Sequence, residues 1–205
     1  MVILAILAGI PLATVQASFF EWMFHRYWLH RPWLPEGCFT SHTLIHHQLC
    51  KFDDTFKVTE EEQHEALSFQ WWGGPLLVAI NCTPWLLAAW ALAAAGVALP
   101  YVAFLVAMGA TFASYYAGYE GTHYLMHKPL LPWLERSRFF RWIERHHRIH
   151  HVRMDRNLNV LLPIADFVLG TLVTEADSPK ATPEGARRLA RRHSKFGKRL
   201  REKER

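Results

Sequence analysis

The sequence predicts an all-α fold, a polytopic bundle of about three membrane-spanning helices with a histidine-rich helical cap. Residues 1–20 and 66–119 contain no Asp, Glu, Lys or Arg. A bilayer core requires about 20 apolar residues per helix, so the first run provides one span and the second, longer run provides two. All 13 histidines lie outside these runs, which places them in the predicted cap.

The first apolar run is expected to be a retained membrane anchor, Val2 to Phe24. A secretory signal peptide begins with basic residues, and residues 1–20 contain no Lys or Arg. The helix should continue to about His30, because Pro32 disfavours helical geometry at Arg31.

The second apolar run predicts a helical hairpin, with spans from Gly74 to Ala94 and from Pro100 to Tyr119. Such a hairpin returns the chain to the side it left, so the histidines before and after it face one compartment. Residues 94–100 contain no Lys or Arg, residues 21–65 contain four, and residues 120–205 contain the remaining 19 of 23. The positive-inside rule therefore predicts a multi-pass membrane protein whose histidines face the cytoplasm.

The chain divides into a membrane-embedded domain, residues 1–177, and a basic tail, residues 178–205. Residues 129–145 alternate aromatic with charged residues and predict a helix lying in the membrane interface. The tail has almost no large apolar residues and is expected to be a flexible arm against anionic lipid rather than a nucleic-acid-binding segment. The three cysteines have no C-x-x-C spacing and are expected to be reduced and structural.

Eleven of the 13 histidines fall into four groups. These are His25 and His30; His42, His46 and His47; His123 and His127; and His146, His147, His150 and His151. Imidazole nitrogen binds iron, zinc, copper and nickel, and 11 such ligands exceed the four of a tetrahedral zinc site. Two metal ions are therefore predicted. The alternative for the last group alone is a solvated basic helix face.

Helical geometry gives expectations for how these groups face the metal ions. Residues four apart share a helix face, so His42 and His46 should offer their rings together while His47 turns toward a neighbour. His25 and His30 are about 140° apart around an α-helix and should approach from different sides or bind different ions.

In the last group, His147, His150 and His151 should converge on one point, with His146 at its edge. Glu120 lies at the predicted membrane boundary, where an ionisable group is costly unless paired. It is expected to accept a hydrogen bond from a ligand histidine, and interfacial solvation is the alternative.

The four groups in this order resemble the integral-membrane fatty acid hydroxylase and sterol desaturase superfamily. That pattern is H-x(3,4)-H, H-x(2,3)-H-H, a later H-x3-H and a final H-x(2,3)-H-H. The flanks are similar too, with Glu21 four residues before His25 and with Asn157, Asn159, Pro163, Asp166 and Gly170-Thr171 after the last group. The resemblance covers residues 19 to 173.

The resemblance implies two iron ions held by the histidines, with zinc as the alternative in purified protein. It implies an oxidoreductase that uses O2 to hydroxylate or desaturate a C–H bond of a lipid from the bilayer, whether fatty acyl, sterol or isoprenoid, and carotenoid hydroxylases share the plan. Glu21, Glu120, Asn157, Asn159 and Asp166 become hydrogen-bond partners of the metal-binding histidines.

Two features depart from many members of the superfamily. The chain has three predicted spans where many have four or more, and no fused haem domain precedes the first histidine group. Electrons are therefore expected from a separate b-type cytochrome, ferredoxin or reductase.

Two other classes of function fit the sequence less well. A membrane zinc hydrolase would use fewer ligands and a catalytic Glu, as in H-E-x-x-H, which does not occur here. A metal transporter would place ionisable or sulfur ligands at mid-membrane, and residues 66–119 contain no charged residue and no His.

Overall fold

The computed structural model describes residues 1–33, 35–51, 54–58 and 67–174. The predicted flexible tail, residues 178–205, lies outside these ranges, as do His64 and His193. Of the described residues 73% are helical and none lies in a strand, which confirms the all-α prediction.

The described part of the chain contains seven α-helical segments, two of which continue as π-helical turns. They are α1 (Val2–Phe24, continuing as a π-helical turn His25–Leu29), α2 (Glu36–Phe39, continuing as a π-helical turn Thr40–His46 and an α-turn His47–Leu49), α3 (Gly73–Ala94), α4 (Tyr101–His127), α5 (Pro132–Glu135), α6 (Arg138–Val152) and α7 (Ile164–Val168). A short 3-10 turn, Asp54–Phe56, lies between α2 and α3.

Three helices, Val2–Leu29, Gly73–Ala94 and Tyr101–His127, are long and apolar enough to cross a membrane. This confirms the three predicted spans and makes the chain a membrane protein. The third helix extends beyond the predicted end at Tyr119 and ends at His127, because no proline follows until Pro129. Lys128, which precedes that proline, is extended, as the proline ring requires.

The spans pack through small residues of α1. Ala13 and Ala17 are buried against Met108, Phe112 and Tyr115 of α4, so the two helices approach closely. Ser18 of α1 also donates to Leu162 O at 2.8 Å and accepts from Ala165 N at 3.1 Å, which ties α1 to the segment around α7.

The cap has a separate apolar core, formed by Phe56, Tyr119, Met126, Phe140, Ile143 and Val160. The interface helix predicted over residues 129–145 is two helices, α5 and α6, because Ser137 caps α6 by accepting from Phe140 N at 3.1 Å. Trp133 and Trp142 are exposed, which fits a segment at the membrane surface.

The hairpin predicts which positions share a side of the membrane. In a background with the three native cysteines changed to serine, Glu36→Cys and Arg141→Cys should react with an impermeant maleimide from one side. Leu99→Cys, in the exposed turn between α3 and α4, should react only from the other side. Labelling of all three from one side would contradict the arrangement.

Candidate metal centre

The structure brings nine of the 11 predicted ligands into two groups. The first contains His25, His30, His42, His47 and His150, and the second contains His46, His123, His127 and His147. Within each group one ring nitrogen from every residue lies within 4.8 Å of all the others. All nine side chains are buried except His30, which is half-buried. Both groups are therefore able to hold a metal ion.

Two segments contribute to both groups and set them side by side. The segment of α2 gives His42 and His47 to the first group and His46 to the second. Helix α6 gives His150 to the first and His147 to the second. The ring centroids of His46 and His47, which belong to different groups, are 5.4 Å apart. The two candidate ion positions are therefore neighbours.

The π-helical turns explain why two geometric expectations were wrong. His25 and His30 were expected to approach from different sides or to bind different ions, and His42 was expected to pair with His46 rather than His47. A π-helix is hydrogen-bonded from i to i+5, so residues five apart come to the same side instead of diverging as in an α-helix. The rings of His25 and His30 stack at 5.0 Å, and those of His42 and His47 are 4.7 Å apart.

The last histidine group also differs from expectation, because His147, His150 and His151 do not converge on one point. His147 and His150 belong to different groups. The His151 ring has Nε2 3.0 Å from His147 Nε2 in the second group and is stacked at 4.2 Å on His47 of the first group. His151 therefore contacts both groups without joining either.

His146 lies outside both groups, and its Nε2 is 3.2 Å from Asp166 Oδ2. Adjacent residues of an α-helix point about 100° apart, so His146 and His147 cannot face the same point.

Burial alone would raise the pKa of Asp166, but hydrogen bonds from His146 and Thr171 and from the Asn159 N–H lower this pKa below its usual value. The carboxylate also accepts from Leu158 N at 2.9 Å.

Glu21 and Glu120, predicted as partners of ligand histidines, have other partners. Glu21 accepts from Tyr115 Oη at 2.7 Å, from Asn159 Nδ2 at 3.1 Å and from Val160 N. Glu120 accepts from the Phe69 N–H at 3.2 Å. Neither carboxylate has a hydrogen bond to a histidine ring among the described contacts.

The two predicted asparagines act on the backbone around Leu158. Asn157 has φ +51°, which Asn tolerates better than most residues, and its Nδ2 donates to His146 O at 3.0 Å. Asn159 Nδ2 donates to Ser18 O at 2.8 Å, and its Oδ1 accepts from Asp166 N at 3.0 Å. These residues hold the loop that presents Leu158 O to His25.

Backbone carbonyls are the main partners of the rings. The Nδ1 to carbonyl distances are 2.5 Å from His25 to Leu158, 3.1 Å from His123 to Leu67, 2.8 Å from His127 to Phe56, 2.8 Å from His150 to Arg156 and 2.7 Å from His151 to Cys50. A carbonyl only accepts, so each Nδ1 carries the hydrogen. In the neutral ring Nε2 then keeps a lone pair, which points inward. Sequence reasoning missed these partners because every residue has a carbonyl.

His30 and His150 show whether the inward-facing ring nitrogens suit a bound cation. His30 Nδ1 is 2.9 Å from Thr43 Oγ1, and that hydroxyl already donates to Leu29 O at 2.6 Å. His30 Nδ1 must therefore donate, as His150 Nδ1 does. Burial lowers the pKa of His30 to about 2 and that of His150 to about 4, so both rings are neutral. Their Nε2 lone pairs face each other at 2.9 Å, and a cation beside them would remove this repulsion.

The spacing of the other Nε2 atoms supports the same conclusion. His42 Nε2 is 2.8 Å from His25 Nε2 and 3.0 Å from His47 Nε2, and His123 Nε2 is 3.2 Å from His46 Nε2. Two nitrogens bonded to one ion at about 2.1 Å and at right angles are about 3.0 Å apart.

Burial is the main cause, and neighbouring rings the second, that lowers the pKa of His42, His46 and His47 well below the usual value. The lowered pKa favours the neutral form of the ring, which is the form that binds metals.

Phe56 covers the second group. Its fully buried ring lies 4.4 Å from the His127 ring, and the Arg148 guanidinium lies 4.0 Å from its centroid. Arg148 and Lys57 both pair with Glu144, at 3.0 Å and 2.9 Å. The ring and this ion-pair cluster separate the histidines from solvent on this side.

A largely apolar cavity lies among the three spans and reaches the first group at His25. It is open on one side, and the empty space inside it and in front of its mouth totals about 530 Å³. Its lining residues come from α1, α3 and α4 together with Phe69: Ala17, Phe20, Glu21, Phe24, His25, Leu29, Leu77, Val78, Asn81, Phe112, Tyr115, Tyr116 and Tyr119. His25 is therefore both a candidate ligand and a wall of the cavity.

Two groups predict two bound ions. Protein purified without chelator should contain about two transition-metal ions per chain by elemental analysis, and His123→Ala should lower this to about one by breaking the second group. His193→Ala, outside every histidine group in the sequence, is the control and should retain both. A content of one ion or fewer in the unmodified protein, corrected for loss, would exclude the two-ion arrangement.

The buried Asp166 carboxylate predicts a stability effect. Asp166→Asn should lower the free energy of unfolding by about 2 kcal/mol, because the new amide N–H2 must face groups that donate to the carboxylate. Asp155→Asn is the matched control; its side chain is 66% exposed, so the change should stay within about 0.5 kcal/mol. Denaturant titration in detergent would measure both, and equal effects would contradict the assigned role of Asp166.

Searches against protein-family models, curated proteins and solved structures found no match to this chain. The resemblance to the hydroxylase and desaturase superfamily therefore remains a prediction from the spacing of the histidines.

Proposed function

We propose that this protein is a membrane di-iron oxygenase that hydroxylates a lipid C–H bond with O2 and externally supplied electrons. One observation supports the proposal: two adjacent groups made only of histidines lie beside a cavity among the membrane-spanning helices. His25 belongs to the first group and also lines the cavity. This arrangement would bring the hydrocarbon part of a lipid to a redox-active metal without exposing either to bulk water.

The composition of the two groups favours iron over zinc. All nine residues are histidines, and five nitrogens in the first group exceed the four ligands of an ordinary zinc site. Iron, when bound, supplies the electron-transfer chemistry that O2 activation and cleavage of an unactivated C–H bond require.

Hydrolysis is a weaker alternative, because it needs a carboxylate placed to activate a metal-bound water. The carboxylates nearest in sequence to the ligands have other partners: Glu21 and Glu120 accept hydrogen bonds from Tyr115, Asn159, Val160 and Phe69. Glu144 pairs with Lys57 and Arg148.

The chain's own residues would position the ligands and the substrate. The carbonyls of Leu158 and Arg156 hold the His25 and His150 rings with Nε2 directed inward. The aromatic rings of Phe20, Phe24 and Phe112 would contact the hydrocarbon chain by van der Waals packing. Binding and exclusion of water therefore come from the same side chains.

The side of the membrane that the histidines face decides where each reactant would come from. The excess of Lys and Arg after α4 favours a cytoplasmic location of the histidines by the positive-inside rule. The lipid would come from the bilayer, and electrons would come from a separate cytoplasmic donor such as a b-type cytochrome, a ferredoxin or a reductase. Desaturation of the lipid, or hydroxylation of a carotenoid, are the alternatives within the same chemistry.

Lipid profiling would test the activity. Cells that express the protein with a competent reductase under labelled O2 should accumulate a lipid that has gained one labelled oxygen atom. His46→Ala and His150→Ala should abolish this product, because each removes a candidate ligand, whereas His193→Ala should retain it.

The same experiment separates the alternatives. A new double bond without labelled oxygen would identify a desaturase. An unchanged lipidome would count against the oxygenase. Loss of product in all three variants would show general damage rather than loss of ligands.

A further inference from the structure

The chain after α6 leaves the cap and returns to it. Asn157 N donates to Thr171 O at 3.1 Å, and Val173 N donates to the Asn157 side-chain oxygen at 2.8 Å. Asn157 is itself fixed to the cap, because its Nδ2 donates to His146 O of α6 at 3.0 Å. Residues 158–172 therefore form a loop, the 158–172 loop, whose two ends meet beside α6.

The middle of the 158–172 loop lies beside the membrane-spanning part of α1. Helix α7 packs on α1, where the Ser18 hydroxyl donates to Leu162 O at 2.8 Å and accepts from Ala165 N at 3.1 Å. Ser18 precedes His25 by seven residues, which is about 10 Å along a helix that rises 1.5 Å per residue. It also belongs to the charge-free run of residues 1–20. The contact with α7 is therefore about 10 Å deeper along α1 than the first histidine group.

The loop packs on the spans with apolar side chains. A Cβ atom added at Gly118 of α4 would lie 3.0 Å from Leu161 Cδ2, so Leu161 lies directly on the backbone of that helix. Leu161 and Leu162 pack against a buried cluster that belongs entirely to α1 and α4: Ala13, Ala17, Met108, Phe112 and Tyr115. The loop is thus joined to the membrane-spanning parts of both helices.

The loop has the polar pairing that a bilayer requires. Asp166 is the one charged residue of the loop, and its side chain is fully buried. The carboxylate accepts from Leu158 N at 2.9 Å and from Asn159 N at 2.7 Å. Backbone groups inside a bilayer need partners within the protein, and Asp166 and Ser18 supply such partners here.

The exposed face of α7 is apolar. Phe167 is 75% exposed and Val168 is 60% exposed, and Leu169, which follows them, is also exposed. Val15 of α1 is exposed too and lies one helical turn from Ser18. The apolar face of α7 therefore continues the surface that α1 presents to lipid.

We propose that the 158–172 loop is a re-entrant segment, which enters the bilayer from the side of the cap without crossing it, and that the exposed face of α7 contacts lipid acyl chains. The loop is then a further membrane-embedded element beside the three spans. This placement is independent of the proposed function, because it follows from packing and exposure and not from any reaction at the histidine groups.

Quenching by brominated lipid tests the placement. Phe167→Cys and Val168→Cys, each in the background with the three native cysteines changed to serine, would carry an NBD fluorophore in phosphatidylcholine vesicles. Bromine on the acyl chains should quench both labels as strongly as a label on Val15→Cys, the matched control on α1. A label on Asp155→Cys, whose side chain is 66% exposed in the cap, should keep nearly all of its fluorescence.

Two results would overturn the proposal. Quenching at Phe167 and Val168 no stronger than at Asp155 would place the face of α7 outside the acyl chains. Quenching that appears only in vesicles with one chain each would show that a second copy of the chain, and not lipid, covers the face. Both positions are exposed, so a cysteine there should leave the fold intact.

Discussion

The cap is organised around buried imidazole nitrogens whose lone pairs face one another, an arrangement that a bound cation would stabilise. Burial keeps the imidazoles neutral, and hydrogen bonds from Nδ1 to carbonyls fix which nitrogen faces inward. In the pair His30 and His150 both Nε2 atoms are held without a hydrogen at 2.9 Å. A cation beside this pair would remove the repulsion between the two lone pairs, so we expect cap folding and metal binding to be coupled.

A polar network at the membrane boundary links the cap to the spans. Glu21, one helical turn before His25, binds Asn159 and Tyr115, and Asn159 binds Asp166 through its backbone and side chain. The loop between Asn157 and Val160 is thereby fixed on both sides. Because this loop presents Leu158 O to His25, the network fixes the orientation of the His25 ring in the first histidine group. The same carboxylate lines the cavity, so the cavity wall and the first histidine group share one support.

A π-helical turn lets one short segment contribute histidines to both groups. In an ordinary α-helix His42 and His47 would diverge, and the first group would lose one of them. The wider turn over Thr40–His46 lets both reach that group while His46 points to the second. π-Helical turns are frequently found at functional sites, and here both lie where histidines five residues apart belong to the same group.

The sequence by itself determined the spans, the hairpin and the set of histidines, because long charge-free runs and clustered imidazoles follow from composition and spacing. Their division into groups was decided by tertiary structure. Spacing placed His147, His150 and His151 at one point, but packing against α2 and α4 assigns His150 to one group and His147 to the other. The α-helical rule separated His25 from His30, and a π-helical turn reunites them. The ring partners could not be read from side chains because they are backbone carbonyls, which every residue has and only the folded chain brings into place.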